Sequence, residues 1–162
     1  MEKENKYYTP GIEEFCVGFE YESRAAGYGA EWIKETIYAM FRDGWESNID
    51  DVLAMYEDGG DEFRVKYLDQ QDIEDCGFGN KRKSVWDWYE LNKTFRMRSG
   101  HHISKIKLIH DRSNEFLEVT DEDICPNIKI WGDFSGTDEV LFEGLVKNKT
   151  EFKKILKQIG VL

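Results

Sequence analysis

Two groups of side chains have the types and spacing that chemistry would need. The first is Gly18-Phe-Glu20-Tyr-Glu22, with two carboxylates at i and i+2. In a strand that spacing sets both on one face, and paired carboxylate oxygens are what a hard cation such as Mg²⁺ requires. The second is a basic and aromatic segment: Lys81, Arg82, Lys83, Trp86, Trp88, Tyr89, Lys93, Phe95, Arg96, Arg98, Lys105 and Lys107. Cations neutralise phosphate, and exposed rings stack on unpaired bases. The sharper reading makes Lys81, Arg82, Lys83, Trp86, Trp88, Arg96, Arg98, Lys105 and Lys107 an interaction surface. The plainer one packs rings such as Trp86 and Tyr89 into a core and leaves the cations to solvent.

The charge layout sharpens that contrast. The 162 residues carry 22 Lys+Arg and 33 Asp+Glu, a net charge of -11. Residues 1–80 hold 7 basic and 20 acidic side chains, whereas residues 81–162 hold 15 and 13. Within 81–112, 9 Lys/Arg face Asp87, Glu90 and Asp111 alone. An acidic chain meets nucleic acid only through a focused patch, since distant like charges oppose approach. The acidic run Asp50, Asp51, Glu57, Asp58, Asp61, Glu62, Asp69, Asp72, Glu74 and Asp75 suits either solubility or a surface presented in place of phosphate.

Other chemistries find little purchase. Cys16, Cys76 and Cys125 are odd in number and far apart, which argues against a structural zinc site and for a reducing compartment. His101, His102 and His110 have no obvious carboxylate partner. No Walker loop, H-E-x-x-H or dinucleotide fingerprint is present. No 18-residue apolar run offers a membrane span, and the charged opening residues lack the apolar stretch of a secretory signal.

The elements that must position these groups are readable in part. Residues 12–22 alternate with period two, which predicts a strand with Phe15, Val17, Phe19 and Tyr21 on one face. Residues 31–41 fit a helical stripe through Ile33, Ile37, Met40 and Phe41, and a strand as the alternative. Ile49, Val52, Leu53 and Tyr56 predict a helix over 48–57, ended by Gly59-Gly60. A strand over 63–68 leads to Asp69, which suits the cap of a short helix over 70–75 closed by Gly77. Further strands are expected at 94–98, 127–131 and 140–146, and a hairpin pairs 103–110 with 115–121. Asn148 and Glu151 form a capping-box pattern for a C-terminal helix over 148–159, with Gly160 just past its end. The class is therefore α+β: an antiparallel β-sheet with helices packed on one face. A single domain over 1–162 is expected, with 1–9 as a frayed tail.

Three segments carry a resemblance. Tyr7-Tyr-Thr-Pro-Gly-Ile-Glu-Glu-Phe-Cys-Val-Gly-Phe-Glu-Tyr-Glu22 resembles the opening of a family of small proteins from gut-bacterial phages and prophages. The run Phe63-Arg-Val-Lys-Tyr-Leu-Asp69, with Asp72-Ile-Glu-Asp75 and Gly77-Phe78, is similar to their middle. Leu141-Phe-Glu-Gly-Leu-Val-Lys-Asn-Lys-Thr-Glu-Phe-Lys-Lys-Ile-Leu-Lys-Gln-Ile-Gly160 is similar to their ending. The family has no assigned function. The resemblance implies a phage or prophage product of the bacterial host cytoplasm. It departs at 23–60 and 81–102. Separately, Gly18-Phe-Glu20-Tyr-Glu22 is similar to the Gly-x-Glu-x-Glu strand of amidoligases and glutamate–cysteine ligases, which hold metal and ATP with such glutamates. That match covers five residues, and no Gly-rich phosphate loop accompanies it.

Together these features predict a small, non-catalytic binding protein without a cofactor, meeting a host protein or nucleic acid through charged surface and not a membrane. The alternative is a Mg/ATP-dependent, ligase-like enzyme using Glu20 and Glu22. Oligomeric state is not readable from the chain.

Overall fold

A computed structural model describes residues 6–26, 29–41, 45–83, 86–91, 95–96, 102–103, 106–111, 127–134 and 136–162. Within 40–47, 80–88 and 95–111, and at Phe134, the description is of the backbone. The chain divides into two compact units, Met1–Tyr67 and Leu68–Leu162.

The first unit contains β1 (Tyr7–Tyr8), β2 (Glu20–Ala25), β3 (Ile33–Thr36), β4 (Ala39–Phe41), β5 (Trp45–Ser47), α1 (Ile49–Asp58) and β6 (Asp61–Lys66). Its antiparallel sheet runs in the order β1-β6-β2-β3, and β4 pairs with β5. Tyr21, Phe63 and Val65 lie on one face of that sheet and are buried with Phe15, Phe19, Ile37 and Val52 of α1. Phe15 is the hub, with ring centroids 5.2–6.0 Å from those of Phe19, Tyr21, Tyr56 and Phe63.

Two expectations change here. The strand predicted over 12–22 begins only at Glu20, because Ile12–Glu14 forms a 3-10 turn and the chain reverses at Val17-Gly18. Gly18 takes φ 87°, a left-handed value that breaks an extended run, and Val17 is left 56% exposed. The period-two pattern was real in composition, but Phe15 reaches the core from a turn. Residues 31–41 hold two strands, β3 and β4, and no helix: β3 pairs with β2 through Glu20↔Thr36, Tyr21↔Glu35, Glu22↔Lys34 and Ser23↔Ile33, and β4 pairs with β5. Tertiary pairing decides between two periodicities that the apolar residues satisfy about equally.

The second unit contains α2 (Gln70–Asp75), β7 (Gly79–Lys83), β8 (Trp86–Leu91), β9 (Phe95–Arg96), β10 (His102–Ile103), β11 (Ile106–Asp111), β12 (Asn127–Phe134), β13 (Thr137–Leu145) and α3 (Lys149–Gln158). Its five-stranded sheet runs in the order β13-β12-β11-β8-β7, antiparallel throughout, while β9 pairs with β10. Tyr89 and Leu91 of β8 and Ile128 and Ile130 of β12 meet Phe152 and Leu156 of α3 and Ile73 of α2 in one buried cluster. Helices therefore cover one face of an antiparallel sheet, and the class is α+β.

The hairpin predicted between 103–110 and 115–121 can be followed on its first strand alone. Residues 115–121 lie outside the described residues. β11 uses both of its edges, Leu108 standing between Tyr89 of β8 and Ile130 of β12. Apolar-to-apolar matching is kept, but with partners distant in sequence.

The helix ends obey local chemistry. Asp69 accepts from the Asp72 amide at 3.1 Å, as its position predicts. Asn148 accepts from the Glu151 amide at 2.9 Å, while the Glu151 carboxylate accepts from the Lys147 amide at 2.7 Å. Gly160, at φ 83°, lets Val161 donate to Leu156 and Gly160 to Lys157, closing α3 in a Schellman turn.

Candidate functional site

Successive residues of a strand point to opposite faces, and cross-strand partners share a face. In the five-stranded sheet, the face opposite the helices is therefore fixed by register. One row across it is Lys81, Trp88, Ile109, Lys129 and Glu143. The next is Gly79, Glu90, Lys107, Trp131 and Val140, and Lys83 stands opposite Trp86 at one corner. Four lysines and three tryptophans thus share one face, and each tryptophan has a lysine as cross-strand neighbour. Lys129 Nζ lies 5.3 Å from the Trp131 ring centroid and 2.7 Å from Glu143. Glu90 is buried on this face, whereas Val140 is 51% and Leu145 58% exposed at its β13 edge.

Of the residues expected to interact, Lys81, Lys83, Trp86, Trp88 and Lys107 share this face. Arg82 pairs with Asp87 and belongs to the opposite face. Arg96 stands opposite His102 in the β9–β10 pair. Arg98 and Lys105 lie outside the described residues. Sequence reading missed Lys129 and Trp131. Their signal was the alternation in Asn127-Ile-Lys-Ile-Trp131, where Ile128 and Ile130 claim one face and leave Lys129 and Trp131 the other.

In the first unit, Glu20 and Glu22 share the face of the four-stranded sheet turned away from its aromatic core. Glu22 Oε2 accepts from both Nε and Nη2 of Arg64 at 2.6 Å, and Glu20 sits 3.3 Å from Lys34 Nζ. Arg64 lies 4.0 Å from the ring centroids of both Tyr7 and Trp32, and Arg24 lies 4.5 Å from Trp32. Arg24 Nε in turn donates to Glu62 at 2.9 Å. The arrangement is a ladder of ring, guanidinium, ring and guanidinium, with both cations matched by glutamates. A divalent ion at Glu22 would have to displace the Arg64 fork. Among the described residues no group of three His, Cys, Asp or Glu is placed to hold a metal.

The expected negative face is likewise interleaved with cations. Glu62 pairs with Arg24, and Lys149 Nζ reaches Asp75 at 2.7 Å and Asp72 at 3.5 Å. Two groups have raised pKa values. Burial and a hydrogen bond to Glu35 push the Tyr21 phenol up. Burial pushes the Cys76 thiol up against the opposing pull of Lys149 and Lys153, which disfavours the nucleophilic thiolate.

A cavity of about 430 Å³ opens in the first unit between the end of β1 and the edge of β6, with Tyr7, Tyr8, Tyr56, Glu62 and Arg64 among its walls. No helix among the described residues is long and apolar enough to cross a membrane. No family model, curated protein or solved structure matches the chain.

Proposed function

We propose that this is a non-catalytic binding protein that holds single-stranded nucleic acid on the lysine–tryptophan face of its five-stranded sheet. One observation carries the reading: the register collects Lys81, Lys83, Lys107, Lys129, Trp86, Trp88 and Trp131 on the face opposite the helices. Cations track a phosphate backbone, and rings accept bases of any sequence. The same register puts Glu90, Asp111, Asp133, Asp138 and Glu143 on this face, five carboxylates against four lysines, so the fit is to a short stretch of strand held by local lysine–phosphate contacts and ring stacking rather than to a long electrostatic track. The ion-paired Glu20 and Glu22 favour this reading over a Mg/ATP site. The likeness of three segments to phage and prophage proteins supports a bacterial cytoplasmic setting.

Replacing Trp131→Ala tests the stacking role. Base stacking on an aromatic side chain contributes about 1–3 kcal/mol, so affinity for a labelled single-stranded oligonucleotide is expected to fall about 5- to 150-fold. Equal affinity of the variant and the parent would contradict the proposal. So would retention of a host polypeptide from lysate by protein that does not bind the oligonucleotide.

A further inference from the structure

β6 spans six residues, yet β1 covers only its last two, through Tyr7↔Lys66 and Tyr8↔Val65. Tyr67 N–H donates to Lys6 on the β1 side, and Ala26 N–H donates to Gly60 on the β2 side. Backbone groups alternate between the two edges of an antiparallel strand. The amides and carbonyls of Asp61 and Phe63 therefore point to the β1 side, and those of Glu62 and Arg64 to β2. Among the described residues, nothing pairs with Asp61–Arg64 on the β1 side.

The reason lies in Pro10. Continued in register, β1 would set residue 10 opposite Phe63, where proline has no N–H to give. Pro10 instead turns toward α1 and its carbonyl accepts from the Tyr56 hydroxyl at 3.0 Å. Thr9 follows Tyr8 beside Arg64, so what remains is a notch three residues long, Asp61–Phe63, about 10 Å at strand rise, and it coincides with the cavity beside β6.

We infer that this notch binds an extended basic peptide by strand addition, antiparallel to β6, in line with β1. The main chain of the peptide would complete the bonds of Phe63 and Asp61, the mode by which sheet edges recognise peptides. Charge selects the occupant. Asp61 and Glu62 flank the notch; Glu62 is shared with Arg24 and the Arg64 in the wall is matched by Glu22, so the charge preference rests on Asp61 and on a unit with 7 basic against 16 acidic residues. A peptide residue opposite Phe63 meets the rings of Tyr8 and Tyr56, so an aliphatic side chain belongs there. Residues opposite Glu62 and Asp61 are lysine or arginine. A second copy of this chain fits less well, because its own edge residues here are acidic.

The probe is acetyl-Val-Lys-Lys-amide, titrated into the full-length, ¹⁵N-labelled protein. The expected result is that the amide resonances of Asp61 and Phe63 move and exchange at the Phe63 amide slows. N-methylation of the peptide valine, which removes one backbone donor, is expected to weaken binding about tenfold, as is exchanging both lysines for glutamate. Asp61→Asn combined with Glu62→Gln is expected to weaken binding of the lysine peptide by a similar factor. Equal affinity of the N-methylated peptide for the parent protein would overturn the inference, whatever the variant does. So would shifts elsewhere, or shifts at Phe63 that grow with protein concentration in the absence of peptide.

Discussion

Phe152→Ala is expected to lower the unfolding free energy by about 3–5 kcal/mol. Phe152 is fully buried, its ring centroid 5.8 Å from that of Phe78, among Ile73, Tyr89, Leu91, Ile128 and Ile130. Truncation removes the apolar contacts of α3 with the sheet and leaves a void that two helices and five strands cannot close together. Most single domains hold only about 5–15 kcal/mol in total, so the loss is a large share. Denaturant unfolding should show a lower midpoint with the slope preserved. A shift below about 1 kcal/mol would mean that α3 does not supply the core of this unit. The helix itself is well capped by Asn148, so the loss reports packing rather than fraying.

Arg64→Ala is expected to cost about 2–3 kcal/mol. Arg64 and Glu22 are a part-buried pair, with side chains 28% and 23% exposed, so the interaction is stronger than a surface ion pair. The same guanidinium lies between Tyr7 and Trp32. Its removal leaves the Glu22 carboxylate without that fork and separates two rings from their shared cation. Arg64→Lys keeps the charge but lacks the planar fork, so it should recover less than half of the loss. Full recovery by lysine would mean that charge alone matters at this position.

The parts of the fold that were legible in the sequence are those fixed by local chemistry. α3 could be read from the Asn148 cap to Gly160. Asp69 and Gly77 bracket α2 in the same way, because a side chain that caps a helix does so within three residues of itself. The parts that were not legible depend on pairing at a distance. Nothing near Leu108 says that it will stand between Tyr89 and Ile130. Nothing local makes 33–36 a strand until β2 is beside it. The same limit explains the site. A run of lysines and tryptophans at 81–88 marks a segment, but the face becomes a surface only when β12 brings Lys129 and Trp131 alongside Lys107. Conversely, Glu20 and Glu22 suggested a metal because their cationic partners, Lys34 and Arg64, come from other strands.

The most direct measurement is the salt dependence of binding. Fluorescence anisotropy of a labelled oligonucleotide of roughly 12 residues would be followed in the presence of the purified protein from about 50 to about 200 mM salt. Three or four lysine–phosphate contacts predict a slope of log K against log salt of about −2 to −3, with the tryptophan emission changing on binding. Affinity that is undetectable at the lowest salt, or independent of salt across the range, would contradict a phosphate-tracking face on the five-stranded sheet.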